Sequence, residues 1–329
     1  MIITQTPLRI SFFGGGTDFK EFYEKEEGFV VSTAIDKYIF VIVKERFDDF
    51  IYVNYSKKER VETPEQIEHD LVREAMLKTK VQEGIEITIL ADIPSEGSGL
   101  GSSSSLIVGL LNAFYQYKGE QVTAKKLAED ACEIEIDICK RPIGKQDQYI
   151  AAYGGLASIG FNKDESVKVK KFEISNYNRR LLGSNLMLFF TGMTRSSSDI
   201  LTEQKFKTKS NTQELLHLKE LAKISEETIS KGKFELLGKM LDMNWMLKKK
   251  LSSNIANSNI DKMYEIALNA GASGGKIAGA GGGGFLLLYC EREKQSNVRN
   301  ALKEFKEMPF ILEKDGSKVI FNYRQYSWK

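Results

Sequence analysis

The sequence predicts an α+β protein made of two mixed domains. Three observations support this fold class: a length of 329 residues, a content of 42% hydrophobic and 28% charged residues, and strand-like stretches that alternate with helical ones. At roughly 150 residues per domain, the length suggests about two compact domains of ordinary globular composition. A polar link around residues 162–180 is the best boundary and divides the chain into residues 1–170 and 171–329.

The predicted elements follow from hydrophobic periodicity and from start and stop signals. Strands are predicted where β-branched and aromatic residues are dense, at 35–44, 84–90, 186–191, 285–289 and 319–326. Helices are predicted at 65–78, 103–117, 123–140, 260–270 and 295–305, with a long Lys- and Glu-rich helical region at 197–253. Thr123 is a suitable N-cap for its helix, and Pro142 ends that helix.

Charge and residue usage exclude several classes of protein. The chain has 47 Lys and Arg against 45 Asp and Glu, and no concentrated basic block, so no nucleic-acid or membrane partner is expected. Only two histidines occur, His69 and His217, which argues against zinc sites built on histidine and against Ser-His-Asp catalysis. Three cysteines without a CxxC pair, no signal peptide and no membrane-length apolar run indicate a cytoplasmic protein.

A glycine- and serine-rich segment at 94–105 is the most informative of three glycine-rich segments, the others being 7–19 and 276–285. It follows a predicted strand and leads directly into an apolar helix. Its glycines allow close approach of the backbone, and the free amides of the helix N-terminus attract anions. This pattern predicts a phosphate-binding loop; a serine-rich N-cap on a buried helix is the alternative. No Lys follows the last glycine, so the segment is not a Walker A loop.

The third glycine-rich segment contains a formal GxGxxG pattern at Gly279, Gly281 and Gly284, with Glu304 at a suitable distance. A dinucleotide-binding fingerprint lies between a strand and a helix, whereas this segment leads into a predicted strand. Close backbone packing against the same ligand region is therefore the better interpretation.

Two carboxylates are candidates for chemistry. On the predicted helix 123–140, Glu135 lies about 40° from Ala131, at the edge of the apolar face. A carboxylate turned inward needs a cation, a hydrogen-bond donor or a raised pKa, and an ordinary ion pair with Lys or Arg is the alternative. Asp147 lies in a polar stretch that leads into a segment with a buried character, which places this acid near the core.

Taken in this order, the three glycine-rich segments resemble the motifs of the GHMP kinases over nearly the whole chain. Within that family, GGGTD at 14–18 and GKQDQY at 144–149 are most similar to bacterial D-glycero-D-manno-heptose 7-phosphate kinases. The resemblance implies an N-terminal domain like domain 2 of ribosomal protein S5, a ferredoxin-like C-terminal domain, and an active site between them that binds ATP and Mg²⁺.

The resemblance also implies roles for individual residues. Ser103 and Glu135 match the magnesium ligands, Asp147 matches the aspartate that accepts the proton of the attacking hydroxyl, and Arg9 matches a basic residue beside it. The residues implied to bind nucleotide are Gly97, Ser98, Gly99, Leu100, Gly101, Ser102, Ser103 and Ser104. The residues implied to bind substrate are Gly15, Gly16, Thr17, Asp18, Arg195, Gly281 and Gly282.

The chain departs from its galactokinase relatives at 14–16, where Gly-Gly-Gly replaces Gly-Glu-His. Two side chains that would hold a free hexose are absent, which predicts a wider pocket for a larger sugar. A sugar phosphate also needs a receptor for its own phosphate. Arg195, with hydroxyls on either side, is the favoured candidate, and Lys140, Arg141 and Lys145 are the alternatives.

The sequence therefore predicts an ATP- and Mg²⁺-dependent kinase that phosphorylates the anomeric hydroxyl of a heptose 7-phosphate. A free-sugar kinase of the L-fucose or galactose type is the first alternative. A non-catalytic sensor of sugar and nucleotide is the second, although the acid and both metal ligands are present. The expected partners are the sugar phosphate and ATP; the sequence does not indicate the oligomeric state.

Overall fold

The computed structural model describes residues 1–93, 97–194 and 197–323, and two β-sheets organise these residues. The strands are β1 (Ile2–Phe13), β2 (Gly28–Glu45), β3 (Ile51–Asn54), β4 (Lys58–Val61), β5 (Ile85–Ala91), β6 (Leu156–Phe161), β7 (Val167–Lys171), β8 (Leu186–Phe190), β9 (Gly274–Ile277), β10 (Phe285–Tyr289) and β11 (Lys318–Asn322). The α-helices are α1 (Lys20–Glu26), α2 (Asp70–Thr79), α3 (Ser102–Lys118), α4 (Ala124–Cys132), α5 (Gln146–Tyr153), α6 (Asn176–Ser184), α7 (Ser197–Phe206), α8 (Thr212–Ser230), α9 (Leu237–Lys248), α10 (Ser258–Asn269) and α11 (Gln295–Ala301).

The larger sheet is built around the long strand β2. Its strand order is β11-β1-β2-β5-β3-β4, and the pair β6–β7 continues from the first part of β2. Only β3 and β5 run parallel among these described pairs. The first and last described strands are neighbours in this sheet, because β11 pairs with β1. The division of the chain at residue 170 stays a prediction.

The central helix α3 positions the glycine loop that precedes it. Gly101 and Gly119 flank the helix in the left-handed conformation, with φ of 77° and 81°, which a glycine adopts without strain. Most of the helix is buried against β1, β2 and α2. Burial on all sides fits its apolar sequence and holds the N-terminal end of the helix in a fixed place.

The smaller sheet has the antiparallel order β8-β10-β9, and the helices α8 and α9 lie between it and the larger sheet. Trp245 on α9 is fully buried there. A second link joins the sheets directly: the ammonium of Lys276 on β9 donates to the carbonyl oxygens of Ser11 (2.8 Å) and Phe12 (3.2 Å) on β1. The end of β1 is therefore fixed against the second half of the chain.

The predicted helix 123–140 is the main local difference from expectation. Thr123 is confirmed as an N-cap, since its hydroxyl accepts from the amide of Lys126 at 3.2 Å. The α-helix ends at Cys132, however, and continues as a wider π-helical turn over Glu133–Ile138. Such turns are rare, and propensity does not predict them. Glu135 lies within this turn and is fully buried, which agrees with the expectation that its carboxylate is turned inward.

Candidate active site

The predicted phosphate loop is a tight turn at the start of α3. Gly97, Gly99 and Gly101 all have positive φ, between 69° and 77°, which explains the need for glycine at alternate positions. The amides that begin α3 have no carbonyl partner within the helix, and its dipole gives this end a partial positive charge. The segment 97–104 therefore offers backbone donors to an anion. Pro94, Ser95 and Glu96 lie outside the described residues.

Backbone and side-chain contacts of the loop hold this turn in place. The backbone carbonyl of Leu100 accepts from the amide of Arg9 at 2.9 Å, and the Leu100 side chain is fully buried. The hydroxyls of Ser98 and Ser102 bond each other at 3.1 Å. These two serines support the loop, whereas Ser103 and Ser104 face a carboxylate.

The third glycine-rich segment packs against this loop, backbone to backbone. A side-chain carbon at Gly99 would lie 2.4 Å from the carbonyl oxygen of Ala278, and one at Gly279 would lie 2.5 Å from the carbonyl oxygen of Gly99. Gly284 approaches the Ser98 carbonyl in the same way, at 2.6 Å. Close packing is thus confirmed as the reason for these glycines, and the segment connects the strands β9 and β10.

Arg9 and Asp147 form a bidentate ion pair at the centre of the site. Nε of Arg9 donates to Oδ1 of Asp147 at 2.7 Å, and Nη2 donates to Oδ2 at 2.6 Å. Nη1 donates to the carbonyl of Gly99 at 2.6 Å, so one guanidinium joins β1, the glycine loop and the first turn of α5. The Arg9 side chain is 6% exposed, and that of Asp147 is 22% exposed, which leaves the carboxylate accessible from the cavity.

Asp18 is a second carboxylate in this cavity and is almost completely buried. Its oxygens accept from the amides of Gly16 (3.0 Å) and Gln146 (3.3 Å), so it lies against the N-terminus of α5. Burial raises the pKa of Asp18, and the negative charge of Asp147 raises it further. The hydrogen bonds from the backbone amides of Gly16 and Gln146 oppose this shift. A glycine is required at 144, where a side-chain carbon would lie 2.0 Å from the Asp18 carboxylate.

The predicted metal ligands Ser103 and Glu135 are in direct contact, since the hydroxyl of Ser103 donates to Oε1 of Glu135. Ser104 and Gln148 each donate to Oε2 of Glu135 at 2.6 Å. Burial raises the pKa of Glu135, and these hydrogen bonds oppose the shift. The ion pair with Arg141 that was the alternative for Glu135 is also present, at 3.4 Å.

Arg141 places a positive charge at this pair of residues. Its Nη1 donates to the hydroxyl of Ser103 at 2.6 Å, and its Nη2 bonds both carboxylate oxygens of Asp70 at 3.0 and 2.9 Å. The carboxylate of Glu135 and the hydroxyl of Ser103 are hard oxygen donors of the kind that Mg²⁺ prefers, and the guanidinium of Arg141 is the cation that would have to give way to the metal. No group of three or more His, Cys, Asp or Glu side chains suitable for a metal occurs among residues 1–93, 97–194 and 197–323. Phosphate oxygens and water would therefore complete the coordination.

Sequence reasoning did not identify Lys248, which lies at the end of α9 and lines the same cavity. Its side chain is buried, and Nζ donates to the carbonyl of Gly279 at 2.6 Å. Burial lowers the pKa of Lys248 to about 8, against the opposing influence of Asp18. The sequence carries no signal for this residue, because it stands in a run of three lysines within a polar helical region.

The predicted substrate-binding residues divide into two groups. Those that line the cavity are Gly15, Gly16 and Asp18. Three others lie away from its wall: Thr17, Gly281 and Gly282. The hydroxyl of Thr17 bonds the backbone of Gly14 and Phe29, and Gly281 and Gly282 pack against Ile255. Gly279 and Ala280 contribute this part of the wall instead.

The candidates for binding the sugar's own phosphate differ in their surroundings. Arg195 lies outside the described residues. Arg141 is committed to Ser103 and Asp70, as described above. Lys145 lies 3.4 Å from a carboxylate oxygen of Glu165 and 5.0 Å from the ring centre of Tyr23.

No helix in the described ranges combines the length and the apolar character that crossing a membrane requires.

Comparison with known proteins agrees with this site. Family models described as the GHMP kinases N terminal domain and the GHMP kinases C terminal match residues 67–155 and 218–307. A D-glycero-alpha-D-manno-heptose 7-phosphate kinase from Campylobacter jejuni is 32% identical over 92% of this chain and 93% of its own length.

Solved structures show the same fold. A D-glycero-D-manno-heptose 1-phosphate kinase from Bacteroides thetaiotaomicron superposes with a TM-score of 0.83 at 24% identity, covering 98% of this chain and 100% of the other. Galactokinase from Lactococcus lactis superposes with a TM-score of 0.77 at 17% identity, covering 97% and 95%. The α+β GHMP kinase fold is confirmed. The chain belongs to the GHMP kinase family and is a sugar kinase, a phosphotransferase that uses ATP.

Proposed function

We propose that the chain transfers the γ-phosphoryl group of ATP to the anomeric hydroxyl of D-glycero-D-manno-heptose 7-phosphate, giving the 1,7-bisphosphate. The observation that carries the proposal is the ion pair of Arg9 and Asp147, which stands between the glycine loop and the cavity that contains Asp18. The heptose phosphate kinase from Campylobacter jejuni, at 32% identity, supports the choice of sugar.

In the proposed reaction, Asp147 is the proton acceptor. Each oxygen of Asp147 accepts one bond from Arg9 and keeps a lone pair for the hydroxyl of the acceptor. As the hydroxyl oxygen bonds to the γ-phosphorus, its proton passes to Asp147, and the bond from phosphorus to the bridging oxygen of ADP breaks. Arg9 orients the carboxylate and adds positive charge where the phosphoryl group develops negative charge.

The glycine loop and the Ser103–Glu135 pair would hold the nucleotide. Amides of 101–104 would bond the phosphate oxygens, and Ser103 with Glu135 would hold Mg²⁺, which would neutralise charge on the transferring phosphates. Arg141 donates to Ser103 and Glu135 in the structure, so we expect its guanidinium to shift towards Asp70 or towards phosphate when the metal is present. Asp18 would hold a sugar hydroxyl.

Two variants test the proposal. Asp147→Asn keeps the shape of the side chain but removes the proton acceptor, and we expect kcat to fall by roughly 10²–10⁴-fold while ATP binding persists. Unchanged turnover would contradict the role of Asp147. Arg195→Ala, as the proposed receptor of the sugar's own phosphate, should lower kcat/KM for the sugar phosphate and leave turnover of the free sugar unchanged.

The choice of sugar is tested by ADP release across a panel of phosphorylated and free sugars, with the product identified by phosphorus NMR. We expect the heptose 7-phosphate to have the highest kcat/KM and the new phosphate to be on the anomeric carbon. Equal or better turnover of free L-fucose or galactose would refute the proposed substrate.

A further inference from the structure

A small space beside Gly15 brings together three polar groups from different parts of the fold. A side-chain carbon at Gly15 would lie 3.6 Å from Oγ of Ser11, 3.7 Å from Nζ of Lys248 and 3.8 Å from Nε2 of Gln146. These groups come from β1, α9 and α5. The φ of Gly15 is outside the left-handed region, so the backbone does not require glycine. The absent side chain leaves the space open.

The polar groups around this space have bonding capacity to spare. The hydroxyl of Ser11 is buried, with the residue 3% exposed, and has no hydrogen-bond partner among the described residues. Lys248, 5% exposed, donates once to Gly279, and no carboxylate in the described part of the chain lies within 4.0 Å of its ammonium. Buried donors without partners cost free energy unless a ligand satisfies them.

The amide of Gln146 is turned towards the same space. Its Oε1 accepts from the hydroxyl of Ser32 at 3.4 Å, which leaves Nε2 on the side of Gly15. Ammonium, amide and hydroxyl thus provide three donors around one point, and the hydroxyl can also accept. A ligand hydroxyl can bond these groups, whereas an apolar group would leave the Ser11 hydroxyl without a partner and Lys248 with its single bond to Gly279.

The charges of the cavity favour a neutral oxygen over a phosphate. Asp147 is neutralised by its ion pair with Arg9, and the charges of Asp18 and Lys248 are opposite. Lys276, which faces the end of β1 from β9, donates to the backbone carbonyl oxygens of Ser11 and Phe12, and burial lowers its pKa well below the usual value. Excess positive charge that would hold a dianion is therefore missing among these groups.

We propose that Ser11, Gln146 and Lys248 form a subsite over Gly15 that binds a hydroxyl group of the acceptor sugar, next to the hydroxyl that Asp147 deprotonates. This inference rests on the proposed kinase function. The subsite would determine which acceptor sugars fit the cavity. Lys248 comes from the second half of the chain, so the subsite is complete only when α9 is packed against the cavity.

Binding without ATP isolates this subsite from catalysis. The affinity of the purified protein for D-glycero-D-manno-heptose 7-phosphate and for the free heptose is measured by isothermal titration calorimetry, with Gly15→Ala as the main variant. Its methyl group meets only ordinary contacts of 3.6–3.8 Å, so the variant folds, yet the methyl occupies the space. We expect Kd to rise at least tenfold for both sugars, with unchanged ATP affinity.

A second variant and a control make the result specific. Ser11→Ala removes a hydroxyl without a partner, so the ligand-free Tm should stay the same or rise, while Kd for both sugars rises about three- to tenfold. Gly160→Ala on β6, where the nearest atom would be 3.9 Å away, is the matched control and should change neither Kd nor Tm.

Two results would overturn the subsite: unchanged sugar affinity in Gly15→Ala, or a loss confined to the phosphorylated sugar, which would mean that the space holds phosphate. Failure of the proposed function is distinguishable, because it appears in the wild-type sugar panel. If the wild type phosphorylates another sugar, the same variants are measured with that sugar, and the tenfold loss is still expected.

Discussion

Replacement of Lys248 by methionine should make the ligand-free protein more stable. Burial lowers the pKa of Lys248 from 10.5 to about 8, so keeping this side chain charged in the folded protein costs about 3 kcal/mol relative to the unfolded chain. Methionine keeps the apolar stem but loses the hydrogen bond to Gly279, worth about 1 kcal/mol. We therefore expect Lys248→Met to raise the free energy of unfolding at pH 7 by about 2 kcal/mol.

The pH dependence of this difference is the diagnostic feature. Below pH 8 the lysine is protonated in both states, so the advantage of methionine is complete. Between about pH 8 and 10.5 the unfolded chain binds more protons at this residue than the folded protein does, and the stability of the wild type rises with pH. The advantage of Lys248→Met should therefore shrink across that window and vanish near about pH 9.5. By about pH 10.5 the wild type should be the more stable protein by about 1 kcal/mol, because its hydrogen bond to Gly279 remains.

Urea unfolding at several pH values between 7 and 10 measures the difference directly. Lys239→Met, on the exposed face of the same helix, is the matched control and should show no such pH dependence. The reasoning is refuted if Lys248→Met is less stable than the wild type at pH 7, or if the difference between the two proteins does not vary with pH.

Three further variants test the other parts of the site. Arg9→Lys cannot make the bidentate bond to Asp147 together with the bond to Gly99. The kcat should therefore fall about 10–100-fold with little change in the KM for ATP. An unchanged kcat would contradict the orienting role of Arg9. Glu135→Gln should raise the Mg²⁺ concentration for half-maximal activity at least tenfold; equal Mg²⁺ dependence in both proteins would exclude Glu135 as a ligand. Gly99→Ala puts a side chain at a residue with positive φ and within 2.4 Å of the carbonyl oxygen of Ala278. The free energy of unfolding should therefore fall by about 1–3 kcal/mol. An unaltered urea midpoint would show that the loop tolerates the added methyl group.

The elements that the sequence predicted best have strong local signals. The strand predicted at 285–289 is β10 with the same bounds, and the helix predicted at 103–117 is α3 to within one residue at each end. An apolar run after glycines specifies such elements without help from the rest of the chain. The predicted helix 65–78 starts late, at Asp70, because a short 3₁₀ turn at Pro64–Gln66 precedes it.

Predictions that depended on contacts distant in sequence were less complete. Thr17 is part of the GGGTD motif, yet its hydroxyl supports the turn and does not reach the cavity. The terminal strand, predicted at 319–326, is β11 at Lys318–Asn322; residues 324–329 are not among those described. Its pairing with β1 joins the first and last described strands, which no local pattern indicates.

The sequence by itself determined the family motifs, the glycine positions of the predicted phosphate loop and the choice of Asp147 and Arg9 as candidates, because these depend on residue type and spacing along the chain. Only the tertiary structure decided which of three consecutive lysines lines the cavity. Lys248 is buried over Gly15, whereas Lys249 and Lys250 are at least partly exposed. The difference arises because packing of α9 against β9 buries one face of the helix, and burial changes both the pKa and the bonding needs of the lysine on that face.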